Sequence, residues 1–63
     1  MITRFKLGQQ FESRANPKKF ATVARVRDED PHWAHLKIFN EDGRLLDEVD
    51  ANAADFAQGW KPV

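Results

Sequence analysis

The sequence predicts a small, mainly β protein, built as a strongly bent antiparallel sheet of four to five strands with one short C-terminal helix. Short runs in which polar and apolar residues alternate recur along the chain, as they do in half-buried strands. Two such runs flank residues 40–43, where Gly43 can take the positive φ of a tight turn, so residues 33–49 form the clearest β-hairpin. The 63 residues have room for a single domain, residues 1–63, with one core.

A first strand is predicted over residues 3–7, where side chains alternate between polar and apolar. Gly8 then permits a bend, beyond which Phe11 can resume the strand. A basic, exposed loop follows at residues 14–18, because Pro17 disfavours helical backbone in the residue before it. The core side of the first strand is predicted to bear Thr3, Phe5 and Leu7.

Two further strands are predicted, over residues 19–27 and from residue 33 to the hairpin turn, separated by an acidic turn that ends at Pro31. In the second strand, the predicted core face is Phe20, Thr22, Ala24 and Val26, and the outer face is Lys19, Ala21, Val23, Arg25 and Arg27. In the third strand, Ala34, Leu36 and Ile38 alternate with Trp33, His35, Lys37 and Phe39.

After the hairpin turn, residues 45–50 show no clean apolar side, which is typical of an irregular or edge strand. Asn52 can cap a short helix over residues 53–58, with Gly59 suited to the C′ position that follows a helix. A helix this short must be anchored, so Phe56 is predicted to pack on the sheet. The last residues, 60–63, form an extended tail or a final strand.

The formal charge is zero overall but unevenly distributed. Residues 1–27 carry seven cations and one acid, whereas residues 28–63 carry three cations and nine acids, giving formal charges of +6 and −6. One interpretation is a dipolar surface with one side that attracts polyanions. The other is that the two halves neutralise each other by cross-strand pairing within one sheet.

Catalysis and metal binding are not predicted. Ser13 is the only serine and there is no cysteine, so no activated nucleophile is recognisable. His35 can face Asp47 or Glu48 across the hairpin, but such a pair is usually a surface contact. His32 lies three residues from His35, which places the two on opposite faces of a strand, so no closed coordination sphere forms. The chain is therefore predicted to be non-enzymatic, without cofactor or metal.

A binding surface is predicted instead. If Ala34, Leu36 and Ile38 are buried, the other side of the third strand is displayed, and cations of the second strand share that face. Aromatic rings among cations are what binders of single-stranded nucleic acid use, and an aromatic centre with a charged rim is also a protein-binding hot spot. Alternatively, Trp33 and Phe39 form a second core layer. The predicted surface consists of Trp33, His35, Lys37, Phe39, Arg25 and Arg27.

The order of elements is similar to that of SH3-like barrels, in which a short helical turn precedes the last strand. Residues 5–11 resemble the opening strand and bend of such barrels, and residues 55–63 resemble the turn and closing strand. The chain departs from the signalling type in having no tyrosine, so the resemblance does not imply a groove for proline-rich peptides. It implies the fold but leaves the function open, since SH3-like barrels bind RNA, DNA, peptides or partner subunits.

The predicted function is a non-enzymatic binding module whose partner is another protein, in a regulatory or phage-type inhibitory role. The alternative partner is single-stranded nucleic acid, RNA or DNA, and a homodimer through an exposed sheet edge is a third possibility. The absence of cysteine and of any long apolar run predicts a soluble, cytoplasmic protein that does not bind membranes.

Overall fold

A computed structural model describes residues 4–63 and shows a mainly β chain, as predicted. All the strands belong to one antiparallel sheet that does not close, in the order β4-β3-β2-β1-β5, so β4 and β5 are its edges. The elements are β1 (Gln10–Ser13), β2 (Lys19–Val26), β3 (Trp33–Asn40), β4 (Leu45–Asn52), α1 (Ala53–Gly59) and β5 (Trp60–Pro62).

The predicted hairpin is confirmed as β3 and β4, and the predicted edge character of β4 is also confirmed. The Asn40 side-chain oxygen accepts from the amides of Asp42 and Arg44, both at 2.9 Å. The Gly43 amide donates to the Asn40 carbonyl at 3.0 Å, and Gly43 has φ +84°. The turn is therefore fixed by an asparagine that binds backbone amides and by a glycine that takes left-handed backbone without strain.

We expect Gly43→Ala to lower the free energy of unfolding by about 1 kcal/mol, because an alanine in left-handed backbone is strained. Nothing lies within 4 Å of the added methyl group, so the loss would come from backbone conformation and not from a clash. The matched control is Gly59→Ala, at the end of α1, where the added methyl also meets nothing and φ is not positive. Urea denaturation should show the control unchanged or slightly stabilised; equal losses in both variants would contradict the argument.

The helix α1 begins as predicted but ends differently. The Asn52 side chain accepts from the Ala54 amide at 2.9 Å, which confirms the N-cap, and Phe56 is 6% exposed, which confirms the anchor. The C-terminal prediction for Gly59 is wrong: Gly59 is the last helical residue and lacks positive φ, and Trp60 caps the helix in extended backbone. The chain therefore passes directly from α1 into β5, which pairs with β1.

The core lies on one face of the sheet, closed by a cluster of aromatic rings. The rings of Phe5, Phe11 and Phe56 meet edge to face, with centroids 5.1–6.0 Å apart, and Trp60 stacks on Phe56 at 5.2 Å. Ala34, Leu36 and Ile38 are buried, which is the condition on which the predicted binding surface depends. The full buried apolar set is Phe5, Phe11, Ala21, Val23, Ala34, Leu36, Ile38, Ala53 and Phe56.

The predicted first strand is wrong where it can be assessed. Thr3 lies outside the described residues, Phe5 is buried, and Leu7 is 73% exposed, so the described part does not alternate as a strand would. Gly8 has φ +82°, which confirms the predicted bend, and β1 begins only at Gln10. Phe5 reaches the core from irregular backbone held by a 3.0 Å bond from its amide to the Pro31 carbonyl.

The predicted core face of β2 is wrong up to the bulge and right after it. Ala21 and Val23 are buried, whereas Phe20 and Thr22 are half-buried on the other side of the sheet and Ala24 is exposed. Val26, beyond the bulge, packs against the core as predicted. The reason is a bulge: the pairing with β3 shifts between Val23 and Arg25, so residues before and after Ala24 follow different phases. A single alternating pattern cannot describe both halves of this strand.

Candidate binding surface

All six residues of the predicted surface lie on the face of the sheet opposite the core, here called the outer face. The register aligns them across strands, since Arg25 pairs with His35, Thr22 with Lys37, and Phe20 with Phe39. On the other side of β3, Asp50 pairs with His35 and Glu48 with Lys37. Directly opposed residues point to the same side, so the three strands present one continuous surface. Its predicted members are Arg25, Arg27, Trp33, His35, Lys37 and Phe39.

The two arginines reach this face because of the β2 bulge. Without it, Arg25 and Arg27 would share the side of Ala21 and Val23, which is buried. The same phase change makes the prediction for Lys19 wrong, because Lys19 precedes the bulge and lies opposite Asn40, on the other side from the outer face. The sequence therefore placed the arginines correctly without identifying the irregularity that puts them there.

The aromatic residues of the outer face are half-buried, not sealed in a second core layer. The Arg27 guanidinium lies 5.3 Å from the centroid of the Trp33 ring, a cation–π contact that covers one face of the indole. At the other end of β3, Phe39 lies between Phe20 on β2 and Leu45 on β4, and Leu45 is 47% exposed. These three residues, Phe20, Phe39 and Leu45, form the apolar end of the outer face.

His35 binds two carboxylates of β4 at once. Its Nε2 lies 2.9 Å from Glu48 Oε1 and its Nδ1 lies 3.1 Å from Asp50 Oδ1. A neutral imidazole has only one N–H, so both bonds can be donated only by the imidazolium. The bond to Glu48, followed by that to Asp50, raises the pKa of His35 above its ordinary value of 6.5. The predicted contact with Glu48 is confirmed, while Asp47 lies opposite Ile38 on the core side of β4.

This arrangement predicts a pH dependence of stability. Because the pKa of His35 is higher in the folded than in the unfolded chain, its contribution is fully present below about pH 6.5 and is lost as the pH rises through the folded pKa. We expect His35→Gln to remove this component from the pH profile of the free energy of unfolding, measured by urea denaturation. A profile unchanged in His35→Gln would contradict the assignment.

Nuclear magnetic resonance titration of the His35 ring tests the cause directly. Glu48→Gln should lower the pKa of His35, since it removes the carboxylate with the largest effect. The matched control is Asp47→Asn, one residue away on the same strand but on the other side of the sheet. An equal fall in the pKa in both variants would show that general acidity, and not the Glu48 contact, raises it.

A concavity of about 630 Å³ lies beside the β2 bulge on the outer face. The small side chain of Ala24 lines it, and most of the remaining wall is cationic. Four of the six predicted surface residues take part, whereas sequence reasoning missed Ala24 and Asp50. The acid could have been found by extending the hairpin register from Glu48, but no signal located the bulge. We call this feature the cationic concavity; its lining residues are Ala24, Arg25, Arg27, His35, Lys37 and Asp50.

The three basic side chains of this concavity, Arg25, Arg27 and Lys37, have no carboxylate within 4 Å in the described chain. Lys37 lies opposite Glu48 in the register, but Glu48 reaches diagonally to His35. Among residues 4–63, the ion pairs within 4 Å join only His35 to Glu48 and Asp50. These ion pairs lie within residues 28–63. They therefore do not join the basic half of the chain to the acidic half, as cross-strand neutralisation would require.

The described residues contain no cluster of three or more histidine, cysteine or acidic side chains suited to a metal ion. No helix within residues 4–63 is long and apolar enough to cross a membrane. No family model, curated protein or solved structure matches the chain, so the resemblance to SH3-like barrels stays a prediction.

Proposed function

We propose that the chain is a non-enzymatic protein-binding module that docks a partner on its outer face. The observation that carries this proposal is the composition of that face, which places half-buried aromatic rings beside cations and carboxylates, with exposed leucine at one end. Rings such as Trp33, surrounded by charged residues, are typical of binding hot spots. A regulatory or inhibitory role and a cytoplasmic location, both predicted from the sequence, remain part of the proposal.

The size of the face fits a modest interface. The chain measures 33 × 20 × 15 Å along its principal axes, so its broad side offers on the order of 700 Å². A standard interface takes about 800 Å² from each partner. The expected complex is therefore of standard size at most, and it depends on a few well-placed side chains.

A photo-cross-linking lysine analogue that keeps the positive charge, placed at position 37 in the middle of the outer face, tests this function in an extract of the source cells. The matched control carries the same cross-linker at position 58, on the exposed side of α1. We expect a protein to be trapped from position 37 and not from position 58, and the purified protein to bind the unaltered chain. Trapping from position 58 alone would contradict the proposed surface.

Single-stranded nucleic acid is the second candidate, favoured by the contact of Arg27 with Trp33 and by the cations nearby. Bases stack on exposed rings while cations bind phosphate. A labelled oligonucleotide titrated at low and at moderate salt discriminates the two functions. Salt-sensitive binding that is lost in Trp33→Ala would favour nucleic acid, and no binding at either salt concentration would exclude it.

A second copy of the chain is a less suitable partner. Pairing through the exposed β4 edge would bring Asp47, Glu48 and Asp50 of one copy close to the same acids of the other, and like charges on an edge oppose such pairing. Sedimentation of the chain alone should therefore show a monomer.

A further inference from the structure

We infer that the cationic concavity selects the partner, and that it binds carboxylate side chains from an acidic segment of that protein. The inference rests on the proposed function and adds the chemistry of the partner. It follows from the charges within the concavity, from its lining and from its neighbours on β3 and β4.

Arg25, Arg27 and Lys37 form no ion pair within the described residues. Both carboxylates that β4 directs toward this region are bound by His35, at 2.9 and 3.1 Å. Within the described residues, Arg25, Arg27 and Lys37 thus have no carboxylate within 4 Å. Even with Asp50 in its wall, the concavity carries more positive than negative charge. An anionic group would find cations whose charge is not already paired.

The wall of the concavity is charged and not apolar. Pockets for small molecules are lined mainly by apolar and aromatic side chains. Here Ala24 is the one apolar lining residue, and the others are charged or imidazole side chains. The small Ala24 side chain lines the concavity at the bulge, immediately before Arg25. The concavity therefore fits a small charged group better than an apolar ligand, and arginine is well suited to bind carboxylate through two parallel N–H bonds.

The surroundings of the concavity favour an acidic protein over nucleic acid. Glu48 and Asp50 border the cations on the β4 side, so the positive area is short, whereas a nucleic acid carries a charge at every nucleotide along its length. The apolar end begins at Phe39, two residues from Lys37 and therefore about 7 Å along the strand. A partner that presents an acidic residue and an apolar residue at this spacing would match both features.

The test is a titration of ¹⁵N-labelled protein with an extended peptide, monitored by nuclear magnetic resonance. In this peptide every second residue is in turn glutamate or leucine, so that each glutamate lies two residues from a leucine. The comparison probes are the same peptide with lysine in place of glutamate and a short oligothymidine. We expect the glutamate peptide to shift the amides of Ala24, Arg25 and Lys37, with affinity at least threefold weaker when salt rises from about 0.05 to about 0.3 M. Equal binding of the lysine peptide would overturn the inference. Shifts of these amides by oligothymidine alone would replace carboxylate with phosphate as the ligand and overturn it too.

Charge-reversal variants locate the site. Arg25→Glu and Lys37→Glu should each weaken peptide binding by roughly fivefold or more, since each replaces an attraction with a repulsion. Lys18→Glu makes the same charge change in the exposed loop outside the concavity and should have less than about a twofold effect. Ala24→Leu fills the concavity without changing charge and should also weaken binding, so the test does not depend on the reversed charges being tolerated. Equal effects of Lys18→Glu and Lys37→Glu would overturn the inference.

Failure of this inference differs from failure of the proposed function. If the protein trapped from position 37 binds Arg25→Glu and Lys37→Glu as tightly as it binds the unaltered chain, the concavity does not select the partner, but the outer face still binds it. If a partner is trapped only from position 58, the outer face is not the interface, and both conclusions are overturned.

Discussion

Replacing Phe56 with alanine should unfold a large part of the protein at room temperature. Phe56 is the one side chain of α1 whose ring enters the aromatic cluster, where it contacts Phe5, Phe11 and Trp60. Removing a buried phenyl group costs about 3–5 kcal/mol. A chain of this length has roughly 3–9 kcal/mol of total stability. The loss is therefore comparable to the whole, and circular dichroism with urea denaturation should show it.

The control for this prediction removes the same phenyl group from the other side of the sheet. Phe39 is half-buried on the outer face and lies outside the buried core cluster. Its replacement by alanine should cost roughly 1–2 kcal/mol, because less apolar surface returns to water. Losses of equal size in the two variants would mean that the core is not confined to one side of the sheet.

The sequence predicted the fold well where local chemistry decides it. The hairpin turn depends on the side chain of Asn40, which binds backbone amides, and on the positive φ that Gly43 can take. The start of α1 depends in the same way on the side chain of Asn52. The alternation of Ala34 with its neighbours along β3 divided the strand into the two faces that the structure shows, because β3 lies between two partners and keeps one phase over the buried stretch. These features depend on a few adjacent residues, which a sequence displays directly.

The errors have a different origin. The bulge at Ala24 depends on how β2 aligns with β3, and nothing in the residues around Ala24 shows that pairing. Leu7 looked like a strand residue because it alternates with Lys6, but the chain reaches the core through Phe5 and then turns at Gly8. The contact of Asp50 with His35, which was not predicted from the sequence, likewise requires the register and the side-chain conformations. Long-range alignment, and not local propensity, determined each of these outcomes.

These errors bear directly on the candidate surface. Six residues were predicted to share a face, and the structure places them together, but two of them, Arg25 and Arg27, owe their position to the bulge. Ala24, the small residue at the bulge, is also one of the residues that line the concavity. A site of this kind can be suspected from residue types, but its shape becomes visible only when the strands are aligned.

Trp33→Ala should weaken binding of the protein trapped from position 37 by about 30-fold or more, the loss typical of a tryptophan hot spot. Two effects add. The partner loses the exposed part of the indole, and Arg27 loses the ring over which it is held, so the cation beside the concavity becomes less ordered. Isothermal titration calorimetry gives the dissociation constant, and urea denaturation of the variant verifies that the sheet still folds.

The matched control for this substitution is Leu7→Ala, which removes a large apolar side chain that is 73% exposed and is neither one of the six surface residues nor a lining residue of the cationic concavity. Its effect on binding should be less than about twofold, since scattered surface leucines are common and contribute little to interfaces. Trp33→Phe separates the two effects further, because a phenyl ring retains apolar surface but gives a weaker cation–π contact. An intermediate dissociation constant is expected for it. If Leu7→Ala weakened binding as much as Trp33→Ala, the partner would be responding to general surface hydrophobicity, and the outer face would not be the interface.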